Sequence, residues 1–142
     1  MREILFRGKR VDNGEWVEGC YAEFVHGFDG YAKPGIQVTR CVPSVANRLT
    51  PTYETELVEV IPETVGQYTG LKDNNGKKIF EGDLVNEDDY TGENGEIVWD
   101  SVELEWAIKI ENIEKKLGFY YWKELEFREN ISDREEKGGR GE

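Results

Sequence analysis

The sequence predicts a mainly β fold, or a β-dominated α+β fold, built from antiparallel strands and hairpins. Short segments rich in β-formers alternate with Gly, Asn, Asp and Pro. One segment, Glu103 to Glu111, alternates polar and apolar residues, and no helical period is sustained over about 10 residues. The second half is expected to form a small SH3-like or partly open barrel, an architectural analogy that implies no function by itself.

The N-terminal segment ILFRGKRVDNGEWVEGCYAEFV predicts a β-hairpin. Its Asn13-Gly14 pair lies between two β-rich segments and suits a type I′ turn, in which both central residues need positive φ. The following HGFDGYAKPG, from His26 to Gly35, is rich in breakers and predicts a loop or a second turn. Between Pro43 and Pro51 the pattern is irregular and predicts no particular element.

The middle of the chain predicts two strands separated by a short turn. YETELVEVIP alternates well enough for a strand, which Pro62 should end because proline cannot extend a ladder. Pro62 could then occupy the first helical position of a turn formed by PETVG. KKIFEGDLV predicts a second strand, with Ile79 and Phe80 before a break at Gly82.

The last third predicts three more strands and a tail. GEIVWD predicts a strand entered through the Asn94-Gly95 pair, and ELEWAIKIE places Leu104, Trp106, Ile108 and Ile110 on one face of a half-buried strand. GFYYWKELEF predicts a strand, although residues 122–131 could form a helix instead. The tail SDREEKGGRGE has no apolar residue and is expected to be disordered.

Length and composition favour one domain. A chain of 142 residues can bury a sizeable core, and its aromatic share of 12% is too high for a disordered chain. We expect a single domain over residues 1–132, comprising a hairpin region (1–61) and a barrel-like region (62–128), followed by a disordered charged tail (133–142).

The charge balance bears on partners. Thirty acidic and 18 basic side chains give a net charge of -12, which disfavours binding to nucleic acid or to an anionic membrane. A local basic patch is the alternative, because Arg7, Lys9 and Arg10 cluster near the start, beside Trp16. These four residues are the candidate interaction residues, and acidic mimicry of nucleic acid is a further alternative.

Cysteine usage and hydropathy predict a cytoplasmic protein. Cys20 and Cys41 are isolated, lack zinc-ribbon or thioredoxin-like spacing, and are expected to be buried free thiols. The longest apolar run, Phe119 to Trp122, has four residues, far fewer than the roughly 20 of a membrane span or the roughly 7 to 15 of a signal-peptide core.

The segment QYTGLKDNNGKKIFEGDLV concentrates polar side chains but fits neither calcium nor phosphate chemistry. With Gly76 at position 6 of an EF-hand loop, Leu71 and Gly82 fall at positions that need carboxylates. As a Walker A loop, the glycine spacing is one residue too long and Lys78 replaces the hydroxyl residue. A turn in which Asp73 and Asn75 bond their own backbone is the better interpretation.

Other chemistries are weakly indicated. His26 is the single histidine and has no adjacent nucleophile or acid, so no catalytic triad and no multi-histidine metal site is expected. Paired carboxylates cannot be singled out among 30 acids. Six aromatic residues could stack bases or sugars, but core packing is the commoner role: Trp16, Tyr68, Trp99, Trp106, Tyr121 and Trp122.

Two stretches together resemble the YopX family of small bacteriophage and prophage proteins. These are REILFRGKRVDNGEWVEG and IPETVGQYTGLKDNNGKKIFEGDLV, so the resemblance covers about Arg2 to Gly19 and Val60 to Trp99. The residues that carry the second stretch are expected to be structural: Gln67, Tyr68, Thr69, Gly70, Leu71, Lys72, Asp73, Gly76, Glu81, Gly82 and Asp83.

The resemblance implies a setting and no chemistry. It implies a phage or prophage protein in a bacterial cytoplasm with a chance of self-association, and it supplies no catalytic residue, metal or cofactor. The usual family ending, similar to GNIYENPELL, is absent here. We expect a non-enzymatic accessory protein that binds an unidentified protein. A nucleic-acid-linked role is the alternative, and a carboxylate-based enzyme is a weaker one.

Overall fold

The computed structural model describes residues 3–25, 30–42, 52–86, 94–110, 113–116 and 125–140. These residues form antiparallel strands, one 3₁₀ turn and one α-helix. The elements are, in order, β1 (Phe6–Lys9), β2 (Trp16–Val25), β3 (Ala32–Val42), β4 (Thr52–Glu59), a 3₁₀ turn (Pro62–Thr64), β5 (Gly66–Lys72), β6 (Lys78–Phe80), β7 (Asp83–Asn86), β8 (Gly95–Asp100), β9 (Glu105–Ile110), β10 (Ile113–Lys116), β11 (Glu126–Asn130) and α1 (Ile131–Arg140).

The chain divides into two compact units. The first is Ile4–Val65, and the second combines Met1–Glu3 with Gly66–Glu142. The predicted limit between the hairpin region and the barrel-like region, at residues 61 and 62, falls four residues before the observed limit between the units. The mainly β fold class is confirmed.

The first unit is a curled antiparallel sheet. Its strands lie in the order β4-β3-β2-β1, so each strand neighbours the next in sequence. Beyond β1 the chain turns towards the end of β4: Arg10 forms a bridge with Val60, and Ile61 N donates to Lys9 O at 2.8 Å. Curvature of the kind predicted for the second half is therefore present in the first unit.

The predicted N-terminal hairpin is confirmed, but its turn is longer than a two-residue type I′ turn. Arg10 N donates to Glu15 O, and Gly14 N donates to Arg10 O. Gly14 has a φ of +73°, whereas Asn13 does not adopt a positive φ. Asn13 instead accepts a hydrogen bond from Glu15 N on its side-chain oxygen at 2.9 Å, which favours the longer turn.

Strand β3 corrects the loop predicted from His26 to Gly35. The strand begins at Ala32, so Pro34 and Gly35 lie inside it. Pro34 lies just beyond the first paired residue, Gly35, and its carbonyl accepts from Val60 N at 3.1 Å, so the missing N–H of Pro34 falls at the end of the β3–β4 ladder. A Cβ at Gly35 would lie 2.8 Å from the Phe24 ring, so the glycine lets this aromatic side chain cross the strand.

Strand β4 and the turn after it follow the sequence prediction. β4 ends at Glu59, and Pro62 begins the 3₁₀ turn. Thr64 fixes this turn because its hydroxyl donates to Ile61 O at 2.6 Å and accepts from Lys9 N at 2.9 Å. The segment from Pro43 to Pro51 lies outside the described residues.

The second unit contains a five-stranded antiparallel sheet in the order β10-β9-β8-β7-β11, together with the β5–β6 hairpin. Because this order is linear among the described strands, the sheet does not form a closed barrel. The break predicted at Gly82 is observed between β6 and β7. The core cluster consists of Ile79, Val85, Ile97, Ile108 and Leu125.

The strand predicted for ELEWAIKIE is observed from Glu105 to Ile110, but both of its faces carry a buried residue, because Ala107 is buried as well as Ile108. Ile108 is buried, and Trp106 and Ile110 pack against the core cluster. Leu104 is an exception: it lies in the β8–β9 turn with a φ of +57° and is exposed. A turn is required there because Asp100 pairs with Glu105, so Leu104 cannot reach the buried face.

The C-terminal segment differs most from prediction. Most of the predicted strand 118–127 lies outside the described residues, and the observed strand is β11. Disorder from residue 133 is wrong up to residue 140, because Ile131–Arg140 forms α1. Asn130 caps this helix by accepting from Ser132 N at 2.8 Å, and Asp133 lies in its first turn, where a negative charge is favourable.

Cys20 is an exposed free thiol, so the prediction that it is buried is wrong. It lies in a cross-strand row with Gln37 of β3 and Leu57 of β4, both of which are exposed. The side chain of Cys41 is outside the described set. Across the described residues, no helix has the length and apolar content required to span a membrane.

Candidate functional site

The β5–β6 turn uses the polar residues of the sequence motif to build its own backbone. Asp73 is buried, and its Oδ1 accepts from Asn75 N at 2.9 Å and from Lys77 N at 2.8 Å. Its Oδ2 accepts from Phe127 N of β11 at 3.1 Å. Asp73 therefore joins the turn to a strand 54 residues later.

Thr69 and Gly70 form an irregularity in β5. The pairing register shifts between Tyr68 and Lys72, and Gly70 has a φ of +90°. Thr69 is buried; its hydroxyl donates to Ile79 O at 2.8 Å and accepts from Leu71 N at 3.2 Å. Leu71 then packs against the core cluster.

The ends of this hairpin are also fixed by motif residues. Gly76 has a φ of +82°, with open space where a Cβ would lie. Any cost of replacing Gly76 therefore comes from its backbone conformation. On β5, Gln67 O accepts from Glu81 N at 2.9 Å, and the Tyr68 ring lies 5.5 Å from Phe80.

A second buried carboxylate fixes the corner between β6 and β7. Asp83 is fully buried; its Oδ2 accepts from Phe80 N at 2.8 Å and its Oδ1 accepts from Asn130 Nδ2 at 3.2 Å. The neighbouring Gly82, with a φ of +88°, donates to Ile97 O and accepts from Ile131 N. This corner holds the start of α1 and the edge of the five-stranded sheet.

Two half-buried carboxyls, those of Glu81 and Glu96, are the titratable groups of note in the second unit. Burial, followed by repulsion from Glu96, raises the pKa of Glu81 above its ordinary value of 4.5. Burial also raises the pKa of Glu96; Lys109 opposes this shift and Glu135 of α1 adds to it. In the described part of the chain, no group of three or more His, Cys, Asp or Glu residues could hold a metal ion.

Three of the four predicted interaction residues of the N-terminal hairpin come together: Arg7, Lys9 and Trp16. Arg7 and Lys9 pair with Glu18 and Trp16 across β1 and β2. The Arg7 guanidinium lies 4.4 Å from the Trp16 ring centroid and the Lys9 ammonium 5.3 Å from it. Both cations are buried, at 7% and 3% exposure, so they contribute little charged surface.

Arg10 lies apart from this stack. It forms two hydrogen bonds with Asp12, at 2.9 and 2.8 Å. These bonds raise the pKa of Arg10 and lower that of Asp12. The three clustered cations therefore do not form one exposed basic patch.

Strand β4 is the open part of the first unit. Residues 52–57 are exposed on both faces of the strand. Tyr53 is 66% exposed and Leu57 is 41% exposed. The sequence predicts a strand here but no site, although the alternation of Tyr, Thr and Leu with Glu in YETEL is a signal for this surface.

The aromatic residues divide between core and surface. Tyr68 is buried, and Trp106 packs against the core cluster as predicted. Trp99 is 44% exposed and contacts Trp106 edge-on at 5.1 Å. Tyr121, Trp122 and His26 lie outside the described residues.

Fold and motif together define a small, mainly β protein of two units, in which the strongest sequence motif supplies the hydrogen bonds of turns and corners. The sequence model described as "YopX protein" matches residues 5–132, and the chain belongs to the YopX family. The predicted family membership is therefore confirmed.

A solved structure is similar over nearly the whole chain. The crystal structure of protein EF1440 from Enterococcus faecalis is 19% identical, covers 96% of this chain and 99% of its own, and has a TM-score of 0.52. At this identity the likeness shows the fold alone. Comparison with curated proteins gave no match.

Proposed function

We propose that this YopX protein is a non-enzymatic protein-interaction module that serves as a phage or prophage accessory protein in a bacterial cytoplasm. The observation that carries the proposal is the open strand β4, whose residues 52–57 are exposed on both faces. Tyr is enriched at protein interfaces and an exposed sheet edge can pair with another chain, so Tyr53 on this strand suits a partner surface.

The engagement of the motif carboxylates supports the same proposal. Asp73 and Asp83 are the two buried carboxylates of the motif, and their oxygens accept hydrogen bonds from backbone and amide groups of the fold. A catalytic role for either carboxylate would compete with these bonds. Asp73 and Asp83, which as polar residues could suggest a ligand site, therefore have a structural role in this proposal.

Direct nucleic-acid binding receives less support. Arg7 and Lys9 are buried against Trp16, and Arg10 is paired with Asp12. A net charge of -12 adds long-range repulsion from phosphate. A carboxylate-based enzyme would use Glu81 and Glu96, the described pair with raised pKa values.

Site-specific photocrosslinking tests the proposal. A photoreactive phenylalanine replaces Tyr53 in the full chain, expressed in bacteria that carry the prophage. The control places the same residue at Val102, an exposed position of the second unit. We expect a discrete adduct with one other protein from position 53 and none from position 102. Absence of any adduct from position 53 at native expression would contradict the proposal.

A further inference from the structure

We infer that the outer edge of β4, from Tyr53 to Leu57, is a docking site for one extended, basic strand of a partner protein. This inference rests on the proposed function and specifies the chemistry of its partner. It commits to pairing by backbone hydrogen bonds, the mode by which a peptide strand extends an exposed sheet edge.

The hydrogen bonds at the end of β4 show which backbone groups are directed outwards. Val60 N donates to Pro34 O on the β3 side, whereas Glu59 O accepts from Val11 N on the opposite side. Successive residues of a strand direct their backbone groups to opposite edges. Residues 53, 55 and 57, which share the parity of Glu59, therefore direct their N–H and C=O groups to the outer edge.

The open edge has a defined limit. At Glu59 and Ile61 it is already occupied by Val11 and Lys9. A cleft of about 250 Å³ lies before this limit, between the β1–β2 turn and residues 56–59 of β4. Among the described residues, β4 is the terminal strand of its sheet, and residues 53–57 pair with β3 alone. An incoming strand can thus pair up to Leu57 and must stop at the turn.

The two faces of β4 require different side chains from the partner. Tyr53, Thr55 and Leu57 alternate with Glu54 and Glu56, so apolar and hydroxyl groups lie on one face and carboxylates on the other. A complementary strand carries apolar or β-branched residues on the first face and Lys or Arg on the second. Opposite charges across a strand pair stabilise it.

The same charges disfavour a second copy of this chain as the occupant. In an antiparallel pair of identical β4 edges centred on Thr55, Glu54 lies opposite Glu56 of the other copy. Centring on Glu54 or on Glu56 places each opposite itself. Every such register juxtaposes carboxylates, which destabilises the pair, and the net charge of -12 on each copy adds repulsion.

The first test measures binding of a defined peptide to the full chain. The probe is a fluorescein-labelled peptide, Thr-Lys-Val-Lys-Val-Lys-Thr, followed by fluorescence anisotropy. Thr55→Pro removes the outward N–H at the centre of the site, and proline is tolerated at an unpaired strand edge. Thr55→Val keeps that N–H while removing the hydroxyl, which lies 3.2 Å from the Thr39 hydroxyl.

We expect about tenfold weaker peptide binding for Thr55→Pro and little change for Thr55→Val. Equal thermal unfolding of the two variants verifies that both are folded. If the peptide binds Thr55→Pro as tightly as it binds the unaltered chain, the inference is overturned. It is also overturned if the peptide does not bind the unaltered chain at any practical concentration.

The second test exchanges the charges. Glu54→Lys combined with Glu56→Lys should weaken the basic peptide about tenfold and produce binding of Thr-Glu-Val-Glu-Val-Glu-Thr. The matched control, Glu63→Lys with Glu103→Lys, makes the same change of net charge at exposed residues outside β4. An equal effect of both double variants would show that net charge alone attracts the peptide, which contradicts the inference.

The two proposals fail separately. A crosslinked partner at position 53 that is still captured by the Thr55→Pro chain would leave the proposed function standing and overturn strand docking. Analytical ultracentrifugation covers self-association: a dimer that Thr55→Pro dissociates would identify a second copy as the occupant and also overturn the inference.

Discussion

At the scale of single residues, two buried carboxylates organise the second unit. Asp73 and Asp83 each accept hydrogen bonds from neighbours in sequence and from a residue of the C-terminal segment. For Asp73 the hydrogen bonds within the turn could be predicted, because Asp followed by Asn-Asn-Gly favours a turn that its side chain closes. The hydrogen bond from Phe127 N to Asp73 could not be predicted, because nothing near Asp73 in sequence identifies Phe127 as a partner.

Replacing Asp73 should destabilise the fold strongly. Asp73→Ala leaves the N–H groups of Asn75, Lys77 and Phe127 without their acceptor, and we expect a loss of about 3 kcal/mol in the free energy of unfolding. Urea unfolding followed by tryptophan fluorescence measures this value. Asn74→Ala, one residue away and exposed, is the control and should change stability by less than about 0.5 kcal/mol. Similar losses of unfolding free energy in Asp73→Ala and Asn74→Ala would contradict a stabilising role for the Asp73 hydrogen bonds.

Gly76 provides a separate test of the turn. With φ of +82° and no atom near a Cβ, Gly76→Val should cost about 1–2 kcal/mol through backbone strain alone. Gly76→Asn should cost less, because Asn tolerates this conformation. Thermal unfolding compares the two variants, and equal stability of the Val variant and the unaltered chain would indicate that the turn differs in solution.

Glu81 gives the molecule a pH dependence with a definite sign. Its folded pKa is raised above 4.5, so the folded state holds the proton more tightly than the unfolded chain does. The contribution of Glu81 to stability is therefore most favourable below pH 4.5 and falls as the pH rises through the raised pKa. Glu81→Gln should remove this fall and stabilise the protein at neutral pH. Unfolding curves recorded between about pH 4 and pH 7 measure the free energy of unfolding, and Glu63→Gln, at an exposed residue, is the control. If the stability of Glu81→Gln fell more steeply with pH than that of the unaltered chain, the raised pKa of Glu81 would be contradicted.

At the scale of elements, local patterns predicted strands well and predicted the helix poorly. β9 forms where the alternating pattern predicts a strand, and Pro62 ends the region of β4 as proline should. The sequence of α1 begins with a single apolar residue, Ile131, and continues with charged residues and glycine, so no helical period was visible. The helix is anchored by Asn130, whose amide donates to Asp83, 47 residues earlier. That long-range contact explains the wrong prediction.

Removing this anchor should loosen α1. Asn130→Ala abolishes the cap at Ser132 N and leaves the buried Asp83 Oδ1 without that donor, and we expect a loss of about 1–2 kcal/mol. Hydrogen exchange of residues 134–138 should accelerate. Ser132→Ala keeps its backbone N–H and is the control. Unchanged exchange in Asn130→Ala would show that the helix is held by other contacts.

At the scale of the whole molecule, the charge of -12 is the dominant global property, and it is spread over a chain that forms two compact units. Composition predicted this acidity and the mainly β class. It could not locate the open strand, because the exposure of β4 depends on which strand lies at the end of the sheet. The candidate basic patch also depends on the folded arrangement. Arg7 is buried against Trp16 and Arg10 pairs with Asp12, so these two residues, close in sequence, do not share one basic surface.

Ionic strength should therefore stabilise the protein. Raising the salt concentration from about 0.01 M to about 0.15 M shortens the screening length from about 30 Å to about 8 Å and weakens repulsion among the acidic groups. We expect a rise of several degrees in the melting temperature by calorimetry. Glu63→Lys with Glu103→Lys lowers the net negative charge and should respond less. A melting temperature that falls with salt would indicate that attractive ion pairs dominate.

The exposed thiol of Cys20 makes the first unit chemically addressable. Cys20, Gln37 and Leu57 occupy one row across three strands, so a maleimide dye on Cys20 would lie about 10 Å from β4. In a Cys41→Ser background, such a dye would report events at the strand edge without alteration of β4 itself. The same accessibility exposes the protein to alkylating and oxidising agents, so preparations need a reductant if their surface is to remain uniform.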